Sequence, residues 1–326
     1  MKDRHALERT LQSIIAGITA LLVMIGLLGT ATHDPRPHDI AVGLSAPAPM
    51  VQQLTQAFGA GAPGAFRFTT YDSEAAARAA IDAREIVGAL VVAQVGPRLI
   101  VAGAAGDAVT GGVTAALTNA FRAQGTTLAV EVVHPFQSGD AHGIALFFLI
   151  LATLVSSVLA SALIALRGGG TWTTQLGTIV AYAGLAGICG TLATAAIVDG
   201  YGDRLWEVMA ISALLSLTVA SVAAACARLF GPAGIGLAAL VLVLLGLVSS
   251  GGPLGSELLP DAYRALAPWL PVGPTYSALR GALYFDGVGV AGPVALLGAW
   301  TAVAIIAMAL AATGRRVRRR TAVAHA

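Results

Sequence analysis

Residues Ser256–Phe285 read SELLPDAYRALAPWLPVGPTYSALRGALYF. The stretch lies inside a very apolar C-terminal half, yet it is neither greasy enough to cross a bilayer nor polar enough to be a plain loop. Pro260 and Pro274 stand where a first helical turn accepts proline, while Pro268 and Pro271 stop the helix between them. Two short helices joined by a rigid elbow are expected. Leu258, Leu259, Leu266, Leu270, Leu279 and Leu283 give apolar faces, and Tyr263, Trp269, Tyr276 and Tyr284 are the amphipathic rings that settle at headgroup level. Such a segment belongs at a membrane surface, with Glu257, Asp261, Arg264 and Arg280 toward water or a cavity. Two readings stay open at this point. The elbow is either an amphipathic connector packed on its own bundle, or a gate over a translocation path in which Tyr263, Arg264, Trp269, Tyr276 and Arg280 meet the substrate.

Composition supports a membrane setting. The 326 residues are 56% hydrophobic and 11% charged, with a mean hydropathy of +0.79, whereas soluble domains carry about 25% charged residues. The net charge of +2 is small, but the basic residues collect at the two ends. Lys2, Arg4 and Arg9 open the chain, and Arg315, Arg316, Arg318, Arg319 and Arg320 close it, so both termini read as cytoplasmic. Lys2 is the sole lysine, which excludes a Walker A loop, because that loop needs a lysine to reach the nucleotide phosphates. Cys189 and Cys226 both fall in apolar runs and read as small buried residues rather than a disulfide.

The expected fold is an α-helical integral membrane protein with six transmembrane helices and an inserted extracytoplasmic α+β domain. Residues 1–12 form a short cytoplasmic segment, and 13–31 a first span built on the apolar run Ile14–Ala31. At about 1.5 Å per residue that run just crosses a hydrocarbon core of roughly 30 Å. A cleavable signal peptide, ending at Gly29-Thr30-Ala31, is the rival reading; its apolar region would be shorter. Residues 144–313 hold five further apolar runs, Ile144–Leu166, Leu176–Val198, Val208–Ala227, Ala233–Val248 and Val294–Thr313, with the elbow at 256–285 before the last. A basic cytoplasmic tail at 314–326 follows. Arg167 and Arg228 then fall on the cytoplasmic side and Asp199, Asp203, Glu207, Asp261 and Asp286 on the outer side, while Arg204, Arg264 and Arg280 run against that assignment.

Between them, residues 32–143 change character. Strands are expected at Asp39–Ala46, Phe66–Tyr71, Ile86–Ala93, Arg98–Ala102 and Thr127–Val133, and helices at Met50–Phe58, Ser73–Glu85 and Asp107–Ala123, the last capped by Asp107. The order βαβαββαβ predicts one mixed sheet with helices on it. An alanine-rich helix after Ser73 predicts a thin, valine-rich core.

The segments DSEAAARAAIDAREIVGALVV (Asp72–Val92), AQGTTLAVEVVHPFQSGDAHGIALFFLIL (Ala123–Leu151) and LPDAYRALAPWLPVGPTYSALRGALYF (Leu259–Phe285) carry a resemblance. The chain resembles the ABC-2 type permease superfamily, with the closest look to its YhgE/Pip (phage infection protein) branch. That resemblance implies a non-enzymatic permease subunit of the plasma membrane. It would export a hydrophobic or cell-envelope substrate, energised by a separate ATP-binding subunit, in a bilayer-embedded homodimer or heterodimer. Members of the superfamily couple to their ATPase through an acidic cytoplasmic segment after the second span. Here that loop is RGGGTWTTQ (Arg167–Gln175), without an acid, which leaves Arg167 and Trp172 as the coupling candidates there and Lys2–Gln12 as the other docking surface. The competing class is a non-transporting receptor or scaffold of the envelope that binds through the α+β domain.

Other chemistry finds little footing. GxGxxG matches at Gly59, Gly61, Gly64 and at Gly287, Gly289, Gly292 lack the strand-turn-helix context that cradles a pyrophosphate, so no nucleotide cofactor is expected. His33-Asp34 and His38-Asp39 read as a solvated linker held extended by Pro35 and Pro37 rather than as metal ligands, and His134 and His142 as interface residues. No GxSxG or HExxH motif points to a hydrolase, and nothing points to nucleic acid. The spans hold no ionisable residue deep inside, which disfavours a proton relay. Gly184, Gly187 and Gly190, with Ser212, Ser216 and Ser221, are expected to let helices approach closely, and Thr191 and Thr194 to hydrogen-bond across.

Overall fold

The computed structural model describes residues 2–93, 96–166 and 171–324. Helix α1 (Lys2–Thr32) leads into β1 (Ile40–Ser45), α2 (Ala48–Gly61), β2 (Phe66–Thr70), α3 (Glu74–Asp82), β3 (Gly88–Ala93), β4 (Gly96–Ala102), α4 (Asp107–Ala123) and β5 (Ala129–Val133). The five strands form one mixed sheet in the order β2-β1-β3-β4-β5. Strand β1 runs parallel to both β2 and β3, β3 is antiparallel to β4, and β4 is parallel to β5. The order of elements is the one the periodicity predicts.

Period-two alternation divides the residues between two faces. Leu90, Leu99 and Val101 face α2 and α4 and meet Leu54, Val109, Val113 and Leu117. Ala89, Val91 and Ile100 point the other way, onto Ala77, Ala80 and Ile81 of α3. The core is thin only on the α3 side, where alanines draw the helix close; the other side holds more leucine than valine.

Caps set the ends of these helices. The Ser73 hydroxyl accepts from the Ala76 amide at 3.1 Å and starts α3 as expected. That helix stops at Asp82 rather than Glu85, because Arg84 adopts φ +60° and the Glu85 amide returns to the Ala80 carbonyl at 2.9 Å. Asp107 is not the cap of α4. Gly106 holds that position at φ +145°, and the Asp107 carboxylate instead meets the His142 Nδ1 at 3.0 Å.

The remaining elements are α5 (Ile144–Leu166), α6 (Trp172–Ala195), α7 (Leu205–Phe230), α8 (Pro232–Ala238), a wider π-helical stretch Ala239–Leu245, α9 (Gly246–Ser249), α10 (Asp261–Leu266), α11 (Val272–Tyr284) and α12 (Ala291–Ala324). Among the described residues, five helical runs are long and apolar enough to cross a membrane: Ile144–Ala165, Trp172–Ala195, Gly202–Phe230, Pro232–Ser249 and Ala291–Thr313. The chain is therefore a multi-pass membrane protein by the length and composition of its helices. The apolar part of α1, Gly17–Thr32, is shorter than those five. Helix α12 runs on to Ala324, so the backbone of the basic stretch after Thr313 is helical.

Helix α7 is the axis of the bundle. Of its most apolar window 72% is buried, against 22–39% for the other four. Its polar residues explain how helices pack without a hydrophobic driving force between them. Ser216 meets Ser157 of α5 at 2.9 Å, and Thr218 meets Thr301 of α12 at 2.9 Å. The cross-helix bonds expected of Thr191 and Thr194 do not form. Thr194 returns to the Gly190 carbonyl of its own helix at 2.9 Å, and the Thr191 hydroxyl is buried without a partner. Of the three glycines, Gly187 makes the close contact with α7, since a Cβ there would lie 2.7 Å from both the Ala213 Cβ and the Met209 carbonyl oxygen. Gly190 faces Leu149 of α5 and Gly184 faces open space.

The sheet lobe and the elbow share one end of the bundle. Asp140 caps α5 there by accepting from the amides of Ile144 at 2.8 Å and Ala145 at 3.0 Å. Arg204, at the start of α7, pairs with Glu207 and with Asp286 in the turn before α12.

Candidate functional site

The elbow forms as two short helices, with one change of role among its prolines. Pro260 precedes α10 and Pro274 sits in the first turn of α11, but Pro271 starts α11 rather than ending α10. Helix α11 packs on α5, α7 and α12 below, and its C-terminal Tyr284 and Phe285 enter the α3 side of the sheet above. The elbow thus lies between lobe and bundle instead of lying free on a surface.

A cleft of about 740 Å³ opens along this junction. The lobe contributes His38, Asp39, Arg67, Arg84 and Glu85; the elbow contributes Glu257, Arg264, Tyr276, Ser277 and Arg280; the first turns of α12 contribute Gly292, Pro293 and Leu296. Four arginines face three carboxylates around it.

Arg84 is positioned by its left-handed backbone, a conformation that costs a side-chain-bearing residue about 1–2 kcal/mol. That turn aims the guanidinium across the junction. Nη1 donates to the carbonyls of Ser277 at 3.1 Å and Val288 at 3.0 Å, Nη2 donates to the Ser277 hydroxyl at 3.2 Å, and the group lies 5.2 Å from the centre of the Phe285 ring. Two glycines leave it room. A Cβ at Gly281 would come 2.8 Å from Nη1, and one at Gly289, where φ is +76°, 3.0 Å. The second GxGxxG match is thus the tight turn that brings α12 past Arg84.

Arg280 comes from the opposite wall. It stacks over the Tyr276 ring at 4.7 Å and donates from Nη1 to the Ala105 carbonyl at 2.9 Å, while its buried Nε has no partner. Burial, and after it the charge of Arg280, pulls the Arg84 guanidinium below the ordinary arginine value. Arg280 is lowered as well, again by burial. Both remain cations near neutral pH, since an arginine is not deprotonated in a protein. Burial pushes Tyr276 up to about 12, so its ring stays a neutral platform. Among the described residues neither Arg84 nor Arg280 has a carboxylate within ion-pair distance, whereas Arg264 is held by Asp39 at 3.3 Å and Asp261 at 3.1 Å.

The residues singled out from sequence separate here. Arg264, Tyr276 and Arg280 line the cleft. Tyr263 turns away to α1, where its hydroxyl meets Thr30 at 2.7 Å. Trp269 is 67% exposed, its amide donates to the Leu266 carbonyl at 3.0 Å and its carbonyl accepts from the Trp300 indole at 2.9 Å. Trp172 is the first residue of α6, after the Thr171 cap; Arg167 lies outside the described residues. His38 is not part of a solvated linker, whereas Asp39 is exposed and pairs with Arg264. The His38 amide donates to the Glu257 carbonyl at 2.9 Å and its buried Nδ1 has no partner. Arg84 was missed because the alanine-rich run ahead of it reads as one uninterrupted helix. The available signal was the Asp-Ala-Arg-Glu end of that run, where polarity returns before a strand.

Comparison of the chain with protein-family models, with curated proteins and with solved structures gave no match.

Proposed function

We propose that this chain is a permease subunit of the ABC-2 type, which exports a hydrophobic or envelope-bound substrate across the plasma membrane. In this reading α1 is a sixth span, both termini are cytoplasmic, and the sheet lobe stands outside. A separate ATP-binding subunit supplies the energy, because a chain whose sole lysine is Lys2 has no Walker A loop of its own. The observation that carries the reading is the cleft at the lobe end of the bundle, where arginines of the lobe and the elbow line the same space as the first turns of a candidate span. Helix α1 supports the sixth span. It is 31 residues long, with Ile14, Ile15, Ile18, Leu21, Leu22 and Ile25 all exposed to whatever surrounds the bundle.

Uptake into inverted vesicles, whose cytoplasmic face is outward, measured with the copurifying ATPase present and absent, tests the proposal. Nucleotide-dependent transport that Arg280→Gln abolishes supports it. No ATPase partner, or transport untouched by that change, overturns it. Reporter fusions at Met1 and Ala326 must both report from the cytoplasm, and a cysteine placed at exposed Asp72 must react with an impermeant label in intact cells.

A second reading has its own observation. A groove of about 720 Å³ runs between α4 and the edge strand β5, where Val130 and Val132 are 44% and 55% exposed. A receptor or scaffold would use such a groove for binding, and deletion of transport activity would leave that binding intact.

A further inference from the structure

We propose that the floor of the cleft, at Arg84 and Arg280, binds the phosphate group of an anionic amphiphile whose apolar part lies along α12. The proposal rests on the export reading only for the fate of the bound molecule, not for its binding.

Charge and donor supply carry the first half. Two partly buried guanidiniums approach from opposite walls without a carboxylate partner in ion-pair range. Burying a cation is costly unless an anion compensates it, and here two are buried within reach of each other's field. The surroundings supply carbonyls and rings, which orient the groups but carry no net charge. Glu257 acts on Arg280 from a distance, and Glu85 and Asp39 stand at the rim, Asp39 already taken by Arg264. Unused donor capacity remains at the floor, since Arg280 Nε is buried and unpartnered, and the His38 Nδ1 is an equally orphaned polar atom in the same cleft. Guanidinium forks match the geometry of phosphate oxygens, and a phosphate monoester brings close to two negative charges.

Placement carries the second half. The same cleft is lined by Gly292, Pro293 and Leu296, at the start of a helix that is apolar enough to cross a membrane. Farther along it, Val303, Ile306 and Leu310 are 65%, 57% and 66% exposed, an apolar track leading away from the cleft. A free phosphate would use the arginines and leave this track empty, whereas an amphiphile uses both.

The test is calorimetric titration of the full chain, in nanodiscs of phosphatidylcholine, with dioctanoyl phosphatidic acid. Dioctanoylglycerol, which lacks the phosphate, and glycerol 3-phosphate, which lacks the tails, serve as the comparison ligands. Phosphatidic acid is expected to bind at least about tenfold more tightly than either, because each loses one half of the recognition. Arg84→Gln and Arg280→Gln should each weaken it by about tenfold, the scale of one lost charge-assisted bond. Equal binding of dioctanoylglycerol overturns the phosphate assignment. Equal binding of glycerol 3-phosphate overturns the amphiphile and makes the site one for a free phosphate. These arms use the unaltered chain, so they decide the matter even where a variant fails to fold, and none of them depends on transport.

Discussion

Arg84 of the sheet lobe donates to the Ser277 carbonyl of the elbow at 3.1 Å, one helical turn before Arg280. The contact ties a helix-strand turn, in which Arg84 takes φ +60°, to a helix nearly two hundred positions later. Removing the side chain by Arg84→Ala should loosen the lobe on the bundle by about 1.5–3 kcal/mol, the worth of hydrogen bonds from a charged group. Arg84→Gly should be milder than Arg84→Ala by about 1 kcal/mol, because glycine also relieves the left-handed conformation. Limited proteolysis of the lobe in detergent, read as the fraction cut over time, ranks the two.

Gly281→Ala should be destabilising where a change at an open helix glycine is not. Its Cβ would lie 2.5 Å from the Val288 carbonyl oxygen and 2.8 Å from Arg84 Nη1, so backbone and guanidinium must both give way. A loss of about 1–3 kcal/mol is expected from such overpacking. Gly298→Ala, where a Cβ meets nothing within 4 Å, is the control and should leave the unfolding midpoint unchanged or slightly raised.

Helix α6 gives a second contrast of the same kind. Gly187→Ala should lower resistance to unfolding in dodecyl sulfate by about 1–3 kcal/mol, because α7 passes over that position. Gly184→Ala, three residues earlier and facing open space, should not. Thr218→Val, which removes the bond to Thr301, should cost about 0.6–1.7 kcal/mol, the range found for hydroxyl bonds between membrane helices.

The lobe also carries a charge ladder with a defined pH signature. Arg78 bridges Glu74 at 2.9 Å and Glu131 at 2.7 Å, and Arg98 reaches Glu74 at 2.7 Å, which joins α3 to β4 and β5. The hydrogen bond from Arg78 holds both carboxyl groups below their ordinary value of 4.5. A carboxyl group lowered in the folded state contributes stability above its unfolded pKa and loses it as pH falls through the folded one. Thermal unfolding should therefore separate the unaltered chain from Glu131→Gln above about pH 5, and the two should converge as the medium is made more acidic. A gap that persists in acid would mean that the ladder acts by packing rather than charge.

Sequence periodicity was enough for the five long apolar helices, the mixed sheet and its element order, because each rests on a local pattern. Alternation at Ala89, Leu90 and Val91 assigns the faces of β3 before any partner is known. The elbow was legible from proline spacing, and Tyr276 and Arg280 with it. What stayed hidden depends on one backbone angle or on contacts between distant segments. Arg84 needed its left-handed turn, Tyr263 needed α1 beside it, and His38 needed Glu257. Two of the three arginines that disagree with the charge count have local reasons of the same kind: Arg204 answers Asp286 and Glu207, and Arg264 answers Asp39 and Asp261.

Helix α11 touches α5, α7 and α12 on one side and feeds Tyr284 and Phe285 into the sheet on the other. In mechanical terms it is a strut thirteen residues long, set between a stiff plate and a stiff pile. A strut of that kind has no slack in which to absorb a stroke. A tilt of α7 or α12 meets the sheet through Tyr284 and Phe285, and a load placed on the plate is borne at the same joint.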